Sequence, residues 1–369
     1  MAPPTVLIIG CGVAGPVLSL LLKNKGYQPV IYEKVRVLGE AGASLMLNPN
    51  GMKVLNLLSS HGKLFRDDEA LPLADIWHGT GIHRTNMNIS LKEMTLDAGI
   101  EMYEGFDLVD IKEGEASITA HFSNGQSATA SFLVGCDGIK AASRRILLRN
   151  SGTKEGPPVF TGLTQTAGIS KTPRALLEEP ATMSNWYGDA VHFIAYPVST
   201  THTSWAVTLP QREERPETWK LATGVELKAH KQSLEDRLEG FEPALLEMVR
   251  TAEQIISFGL FDRAELSVDE WFSTRCVLIG DAAHPTSPHL GQGRTKHWRT
   301  AIILVVYFLS LMVTPRTSAL VKGARNKGEE RVVTGGPELC RARDAQLIVT
   351  LGDAEEVQRG NDQLFREPF

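Results

Sequence analysis

The chain has 369 residues, 42% of them hydrophobic, and a formal net charge of −5 at pH 7. This composition supplies a sizeable core and excludes an intrinsically disordered chain, and the length favours two domains or one large discontinuous fold. A negative net charge without a long basic run argues against a protein that binds nucleic-acid phosphates.

The first predicted elements form a strand, helix, strand unit. Thr5–Ile9 predicts a strand, the apolar pattern from Pro16 to Asn24 predicts a helix, and Pro29–Tyr32 predicts a second strand that ends at Glu33. In such a unit a Gly-x-Gly-x-x-Gly motif makes the tight turn, admits a pyrophosphate and packs the helix on the strand, while the acidic residue accepts hydrogen bonds from ribose hydroxyls. The motif's glycines are Gly10, Gly12 and Gly15. The unit therefore predicts dinucleotide binding, with an ordinary strand–helix turn as the alternative.

Two stretches further along are candidates for ligand contact. Ala41–Leu47 carries small residues, among them Ala43, that allow backbone to lie along a planar ring, and a strand followed by a Pro-Asn-Gly turn at Asn48–Gly51 is the alternative. Arg84 precedes a helical pattern that runs to Leu96. It is a candidate phosphate contact, with a solvated arginine before a helix as the alternative.

A third buried strand is predicted at Phe132–Gly135, and Asp137-Gly138 follows it. An aspartate at the carboxyl edge of a sheet, with Arg144 and Arg145 one short turn later, suits a second contact to a pyrophosphate. The alternative is a strand cap followed by surface arginines.

From Gly156 to about Phe258 the pattern changes to antiparallel strands with polar alternates. These predicted strands are Trp186–Asp189, His192–Pro197 and Thr203–Val207. The segment Arg212–His230 is expected to be a charged loop, and Ser233–Arg250 predicts one helix. His192 and Tyr196 share parity on one strand and are candidate catalytic residues of a substrate pocket. The alternative is a pair of ring side chains in the core or interface of a sheet.

A last apolar run, Cys276–Ile279, ends at Gly280-Asp281, and the chain then continues to Gly291-Gln292-Gly293. This arrangement puts the Asp281 carboxylate at the carboxyl edge of a sheet, where open α/β sheets bind ligands. The later glycines let backbone N–H groups approach a ligand closely.

In this order, the motifs at Gly10–Gly15, Asp137-Gly138 and Gly280–Gly293 resemble the three fingerprints of the group A FAD-dependent aromatic monooxygenases. That family includes the p-hydroxybenzoate and salicylate hydroxylase type and many fungal secondary-metabolite oxygenases. The resemblance implies an α/β fold with a Rossmann-like FAD-binding domain and an inserted antiparallel β-sheet substrate domain. We expect the FAD-binding domain at residues 1–155 and 257–313 and the substrate domain at 156–256.

The resemblance also implies the cofactor contacts. The first motif and Glu33 would hold the ADP part of FAD, Asp281 the ribityl chain, and the Gly291 and Gly293 backbone the pyrimidine edge of the flavin. Asp137 is linked in the family to both FAD and the reducing nicotinamide. The implied cofactor-binding residues are Gly10, Gly12, Gly15, Glu33, Ala43, Arg84, Asp137, Asp281, Gly291 and Gly293.

The implied reaction uses FAD, NAD(P)H and O2 to hydroxylate or epoxidise an aromatic or polycyclic small molecule in secondary metabolism. An FAD oxidase or reductase, or an inactive relative with a damaged flavin site, are the alternatives. No metal site is predicted, and the four cysteines suit buried thiols of a cytoplasmic protein. The most apolar window, Ala301–Val313, is too short for a stable membrane span.

The chain departs from the family pattern after Gly293. Residues Arg294–Thr300 are basic, whereas a reading frame displaced by one base in these codons can encode Ala-Asn-Lys-Ala-Leu-Glu-Asp, the family's continuation. We therefore predict a displaced frame here and an atypical C-terminal tail at 314–369, with a genuinely divergent tail as the alternative. A smaller departure is Ala141, where the family usually has serine.

Overall fold

The fold was analysed in a computed structural model, which describes residues 2–37, 44–61, 70–72, 80–178, 180–214, 221–285, 332 and 336–352. The strands are β1 (Thr5–Ile9), β2 (Gln28–Glu33), β3 (Ser44–Leu47), β4 (Ala70–Pro72), β5 (Thr80–His83), β6 (Glu101–Glu104), β7 (Leu108–Glu113), β8 (Ile118–Phe122), β9 (Ser127–Ala130), β10 (Phe132–Gly135), β11 (Val159–Lys171), β12 (Ser184–Gly188), β13 (Val191–Pro197), β14 (His202–Pro210), β15 (Gln254–Asp262) and β16 (Cys276–Leu278). The helices are α1 (Ala14–Asn24), α2 (Pro49–Asn56), α3 (Arg84–Asp97), α4 (Ala142–Asn150), α5 (Arg174–Leu177), α6 (Gly224–Arg237), α7 (Pro243–Thr251) and α8 (Pro337–Gly352).

A parallel five-stranded sheet has the order β16-β10-β1-β2-β6. Strands β16, β10, β1 and β2 contain apolar runs because both faces of the sheet are covered there, whereas the edge strand β6 has alternate residues exposed. In β1, Val6 and Ile8 face a core shared with α1 and α3, while Leu7 and Ile9 face a second core shared with α4 and the β7–β9 sheet. The predicted Rossmann-like α/β fold is confirmed by this sheet together with the structural similarity reported below.

A second five-stranded sheet is antiparallel, with the order β12-β13-β14-β11-β15. Helices α6 and α7 cover one face through a core that includes Phe193, Trp205, Leu234 and Leu245. His192 and Tyr196 have the opposite parity on β13, so they lie on the face away from these helices. Two three-stranded sheets, β3-β5-β4 and β7-β8-β9, complete the described architecture.

The Pro-Asn-Gly turn, given as the alternative at Asn48–Gly51, does not form, because Pro49 starts helix α2, where a proline's missing N–H costs nothing. Two local predictions were wrong. The single helix predicted over 233–250 is two helices, separated at Gly240, whose φ is +87°, with Pro243 in the first turn of α7. Helix α6 also begins at Gly224, within the segment that was expected to be a charged loop.

Among the helices that the structure describes, none combines the length and the apolar character needed to cross a membrane. The displaced-frame prediction concerns residues that lie, for the most part, outside the described ranges.

Candidate functional site

Four strands of the parallel sheet end at one edge, and the predicted motifs follow them. The Gly10 N–H donates to Tyr32 O at 2.8 Å, and the register pairs Ile9 with both Tyr32 and Gly135. On the far side of β10, Gly135 pairs with Leu278. The strand ends that precede the four predicted contacts therefore lie side by side at one edge of the sheet. These contacts are the glycine motif, Glu33, Asp137 and Asp281.

The three motif glycines have different surroundings. Gly10 has a φ of +110°, and a Cβ there would lie 2.6 Å from Cys136 O. A Cβ on Gly15 would lie 2.1 Å from Gly10 O, so helix α1 packs on the turn only with glycine at that position. Gly12 has no positive φ, and a Cβ there would meet nothing within 4 Å among the described residues. Packing among the described residues does not require glycine at position 12, whereas a ligand lying against this backbone would.

Helix α1 begins within the glycine motif, at Ala14. Its N-cap residue, Val13, makes no side-chain capping bond, and the first turn carries no acidic residue. A helix N-terminus of this kind favours a bound anion. Together with the open space at Gly12, it fits a pyrophosphate.

Glu33 is buried at the end of β2. Its Oε2 accepts the Cys11 N–H at 2.6 Å, and its Oε1 accepts the Val35 N–H at 2.9 Å. Each carboxylate oxygen keeps a second lone pair. The carboxylate is thus tied to the glycine motif and retains acceptor capacity, which fits hydrogen bonds from ribose hydroxyls.

Asp137 directs its carboxylate at helix α4. Its oxygens accept the Ser143 backbone N–H, at 3.0 Å, and the Ser143 hydroxyl. Burial raises the pKa of Asp137, and the hydrogen bonds from Ser143 oppose that shift. The carboxylate is thus bonded to the first turn of α4, and the hydroxyl beside it comes from Ser143, two residues beyond Ala141.

Arg144 is a residue whose role sequence analysis missed. It is fully buried, forms an ion pair with Glu155, and donates from its NH1 to Ala283 O at 3.0 Å. It is therefore neither a surface arginine nor a group that faces the glycine motif. The helical spacing of the sequence could have predicted this burial, because position 144 falls on the apolar stripe with Leu147 and Leu148. Its neighbour at position 145 is exposed.

Asp281 lies in a short 3-10 turn, Gly280–Ala282, directly after β16. Gly280 has a φ of +64°, which favours glycine, and Asp281 is half-buried. His284, two residues after the turn, is buried with its ring centroid 5.3 Å from that of Trp271. Arg84 is the first residue of α3 and is half-buried. The predicted contacts Ala43, Gly291 and Gly293 lie outside the described residues.

His192 and Tyr196 share one face of the antiparallel sheet, as their parity predicted. His192 is buried, with Nε2 3.0 Å from Asn185 Oδ1 and its ring stacked on Tyr187. The Tyr196 hydroxyl lies 2.8 Å from Ser44 Oγ. Ser44 opens β3, directly after Ala43, so Tyr196 joins the antiparallel sheet to the strand that forms the second part of the predicted ring-contacting segment, Ala41–Leu47.

Within the described ranges, no group of three or more His, Cys, Asp or Glu side chains is placed to hold a metal ion. The site's chemistry in these ranges consists of backbone N–H groups, carboxylates and the polar face of the antiparallel sheet.

The chain is similar to known proteins over most of its length. The family model described as FAD binding domain matches residues 4–296. A 3-amino-4-hydroxybenzoate 2-monooxygenase of Streptomyces cremeus is 26% identical, over 94% of this chain and 92% of its own length. An FAD-dependent monooxygenase of an Arthrinium species is 27% identical, over 96% of this chain and 87% of its own. The crystal structure of Klebsiella pneumoniae HpxO with FAD and uric acid superposes with a TM-score of 0.79 and 19% identity, covering 99% of this chain and 97% of that one.

Proposed function

The chain belongs to the FAD binding domain family and is a flavoprotein monooxygenase, an oxidoreductase; from this premise we propose that it uses NAD(P)H and O2 to hydroxylate or epoxidise an aromatic small molecule. The observation that carries the proposal is the open backbone at Gly12 beside the fixed Glu33 carboxylate, at the edge where Asp281 also lies. Bound FAD would supply the electron transfer and the activation of O2.

The residues of the parallel sheet bind and orient the cofactor in this proposal. The α1 N-terminus and the Gly12 backbone receive the pyrophosphate, Glu33 receives ribose hydroxyls, and Asp281 receives the ribityl chain. Arg84 at the start of α3 is the proposed contact to the flavin. Asp137 acts through helix α4, whose first turn its carboxylate fixes.

The antiparallel sheet supplies the proposed substrate side. His192 and Tyr196 lie on the face away from α6 and α7, and Tyr196 reaches Ser44 on β3. We infer that this face orients the substrate ring and excludes water from the reacting atoms, which limits loss of the activated oxygen to solvent. An aromatic substrate, one ring or several fused, agrees with the aminohydroxybenzoate in the name of the Streptomyces relative.

A role in secondary metabolism is part of the proposal and is supported by the similarity to the Arthrinium monooxygenase. We also propose a cytoplasmic location. Three of the four free cysteines are buried thiols, which suits a reducing compartment.

The test is oxygen-isotope incorporation by purified protein reconstituted with FAD and supplied in turn with NADH and NADPH. Transfer of one labelled oxygen atom from O2 into an aromatic product supports the proposal. Turnover that yields only hydrogen peroxide would indicate an oxidase or a reductase instead. Protein that takes up no flavin would indicate an inactive relative.

In single-turnover assays, Tyr196→Phe and His192→Ala should lower oxygenation while the fold is retained.

A further inference from the structure

Both connections between the two large sheets pass through one buried ionic cluster. The chain enters β11 after Glu155 and leaves β15 at Arg263, and the β11–β15 register pairs Val159 with Asp262. Arg144, on α4, contacts both connections, since it pairs with Glu155 in the first and donates to Ala264 O in the second. We call Arg144, Glu155 and Arg263 the crossover cluster.

The crossover cluster holds two cations on one carboxylate. Glu155 Oε1 pairs with Arg144 Nε and lies 2.6 Å from Arg263 NH1. The three side chains are 0%, 10% and 8% exposed for Arg144, Glu155 and Arg263 respectively. Because charges at this depth are costly without a partner, loss of the Glu155 charge leaves two buried guanidinium groups uncompensated.

Arg144 is hydrogen-bonded to the Gly280–Ala283 turn, which we define as the 3-10 turn Gly280–Ala282 together with the residue that follows it. Its NH1 donates to Ala283 O at 3.0 Å and to Ala282 O at 3.4 Å, and its NH2 donates to Ala264 O at 2.8 Å. The Ala282 and Ala283 carbonyls lie at the end of the 3-10 turn, so a cation there satisfies groups that the turn leaves free. The Ala264 carbonyl belongs to the connection that follows β15. The planar fork of the guanidinium also fixes the relative direction of these carbonyls.

We propose that Glu155 and Arg263 are positioning residues which, through Arg144, hold the Gly280–Ala283 turn and its Asp281 in the geometry that FAD requires. The inference rests on the proposed function, because it assigns these residues to the same cofactor site. It gives the two interdomain connections a direct link to the flavin-binding turn, since movement of either connection displaces Glu155 or Arg263.

The experiment compares Glu155→Gln, which removes the charge, with Glu155→Asp, which keeps it. The matched control is Asp110→Asn, which breaks the more exposed Arg149–Asp110 ion pair of the same helix α4. Three quantities are measured for each variant: amide hydrogen exchange of the apoprotein, the apoprotein Tm, and the FAD dissociation constant by fluorescence quenching. The Ala283 and His284 N–H groups are the exchange probes, since both donate to Gly280 O.

We expect Glu155→Gln to speed exchange at Ala283 and His284 and to weaken FAD binding about tenfold, as for loss of one charge-assisted hydrogen bond. Exchange in β13 and β14 should stay unchanged in Glu155→Gln. Glu155→Asp should recover most of the FAD affinity. Asp110→Asn should change neither the exchange at Ala283 and His284 nor the FAD affinity. If Glu155→Gln does not fold, Arg263→Gln, with Arg263→Lys as the charge-retaining variant, takes its place.

Two results would overturn the inference. One is an increase in exchange that is uniform over the chain with a matching fall in Tm, which is what a purely structural cluster predicts. The other is unchanged exchange at the turn, or unchanged FAD affinity, in the charge-removing variant. Failure of the wild-type chain itself to bind FAD would instead contradict the proposed function, and the exchange data would still decide whether the cluster holds the turn.

Discussion

Gly12 and Gly15 belong to one motif but differ in what an added methyl group would meet. At Gly12 it would meet no atom within 4 Å in the part of the chain that the structure describes, whereas at Gly15 it would lie 2.1 Å from Gly10 O. We expect Gly12→Ala to leave the apoprotein Tm unchanged and to weaken FAD binding by about tenfold or more, near 1.4 kcal/mol, because the methyl group takes the pyrophosphate's space. Gly15→Ala should instead destabilise the apoprotein by about 1–3 kcal/mol. Thermal melts and fluorescence titration of both variants separate these effects, and an equal loss of Tm in both would contradict the prediction.

Glu33 has two tasks, since it receives the Cys11 N–H and is the proposed ribose acceptor. Glu33→Ala should cost about 1.5–3 kcal/mol of FAD binding through the lost charge-assisted hydrogen bonds. Glu33→Gln keeps the shape and one acceptor oxygen, so its loss should be smaller. The measurement is FAD affinity by flavin fluorescence. Unchanged affinity in Glu33→Ala, and in the parallel variant Asp281→Ala, would refute the assignment of the ligand to this edge.

The four cysteines should differ in how fast they are alkylated. Burial, and secondarily the Glu33 charge, raise the pKa of Cys11 to about 12, and burial also raises the pKa of Cys136 and Cys276. At pH 8 a thiol with that pKa is ionised to only about 10⁻⁴, and the thiolate is the reactive form. Iodoacetamide at pH 8 should therefore label Cys340, which is partly exposed, well before the other three in native protein. Mass spectrometry of the alkylated peptides checks this, and early labelling of Cys11 would count against the described burial.

At the scale of elements, sequence analysis located β1, β2, β10 and β16 because each contains a short apolar run. It did not locate the edge strand β6, Glu101–Glu104, in which alternate residues are exposed. It missed the break between α6 and α7, since Leu234, Leu238, Leu245 and Met248 keep a helical spacing across it and all are buried. Gly240 and Pro243 were the available signals. It could not find the contacts of Arg144 or of Tyr196 with Ser44, because periodicity fixes the face of an element but not the element that it meets.

The antiparallel sheet offers a test of its packing at Gly168 on β11. A Cβ there would lie 2.5 Å from the buried Trp205 ring and 2.9 Å from Gln254 O, so neither neighbour has room for it. Gly168→Ala should lower the free energy of unfolding by about 1–3 kcal/mol. The control is Gly156→Ala, where a Cβ meets nothing within 4 Å among the described residues and the change should be below about 0.5 kcal/mol. Urea unfolding measures both, and equal stability of the two variants would contradict the packing described for β11.

At the scale of the whole molecule, we predict that the sequence after Gly293 limits how tightly the chain binds FAD. The family match ends at residue 296, beside the position from which we predict a displaced reading frame. We expect genomic and transcript sequence across codons 290–345 to show an alternative frame that encodes Asn-Lys-Ala-Leu-Glu-Asp. A protein with that frame restored should retain FAD more tightly than this chain. If this chain, as written, holds FAD stoichiometrically and turns over, the displaced-frame prediction is wrong.

The order of strands in the parallel sheet also governs how the protein can be made. The register joins Val6 to Phe132 and Leu133 to Cys276, while the antiparallel sheet is encoded between the last two. On the ribosome, β10 therefore emerges with one neighbour and waits as an edge strand until β16 has been synthesised. During that interval the antiparallel sheet can form from contacts that are nearer in sequence, whereas β10 exposes backbone groups that another chain can pair with. Nascent chains arrested before Cys276 should thus depend more on chaperones than chains arrested after the Gly280–Ala283 turn.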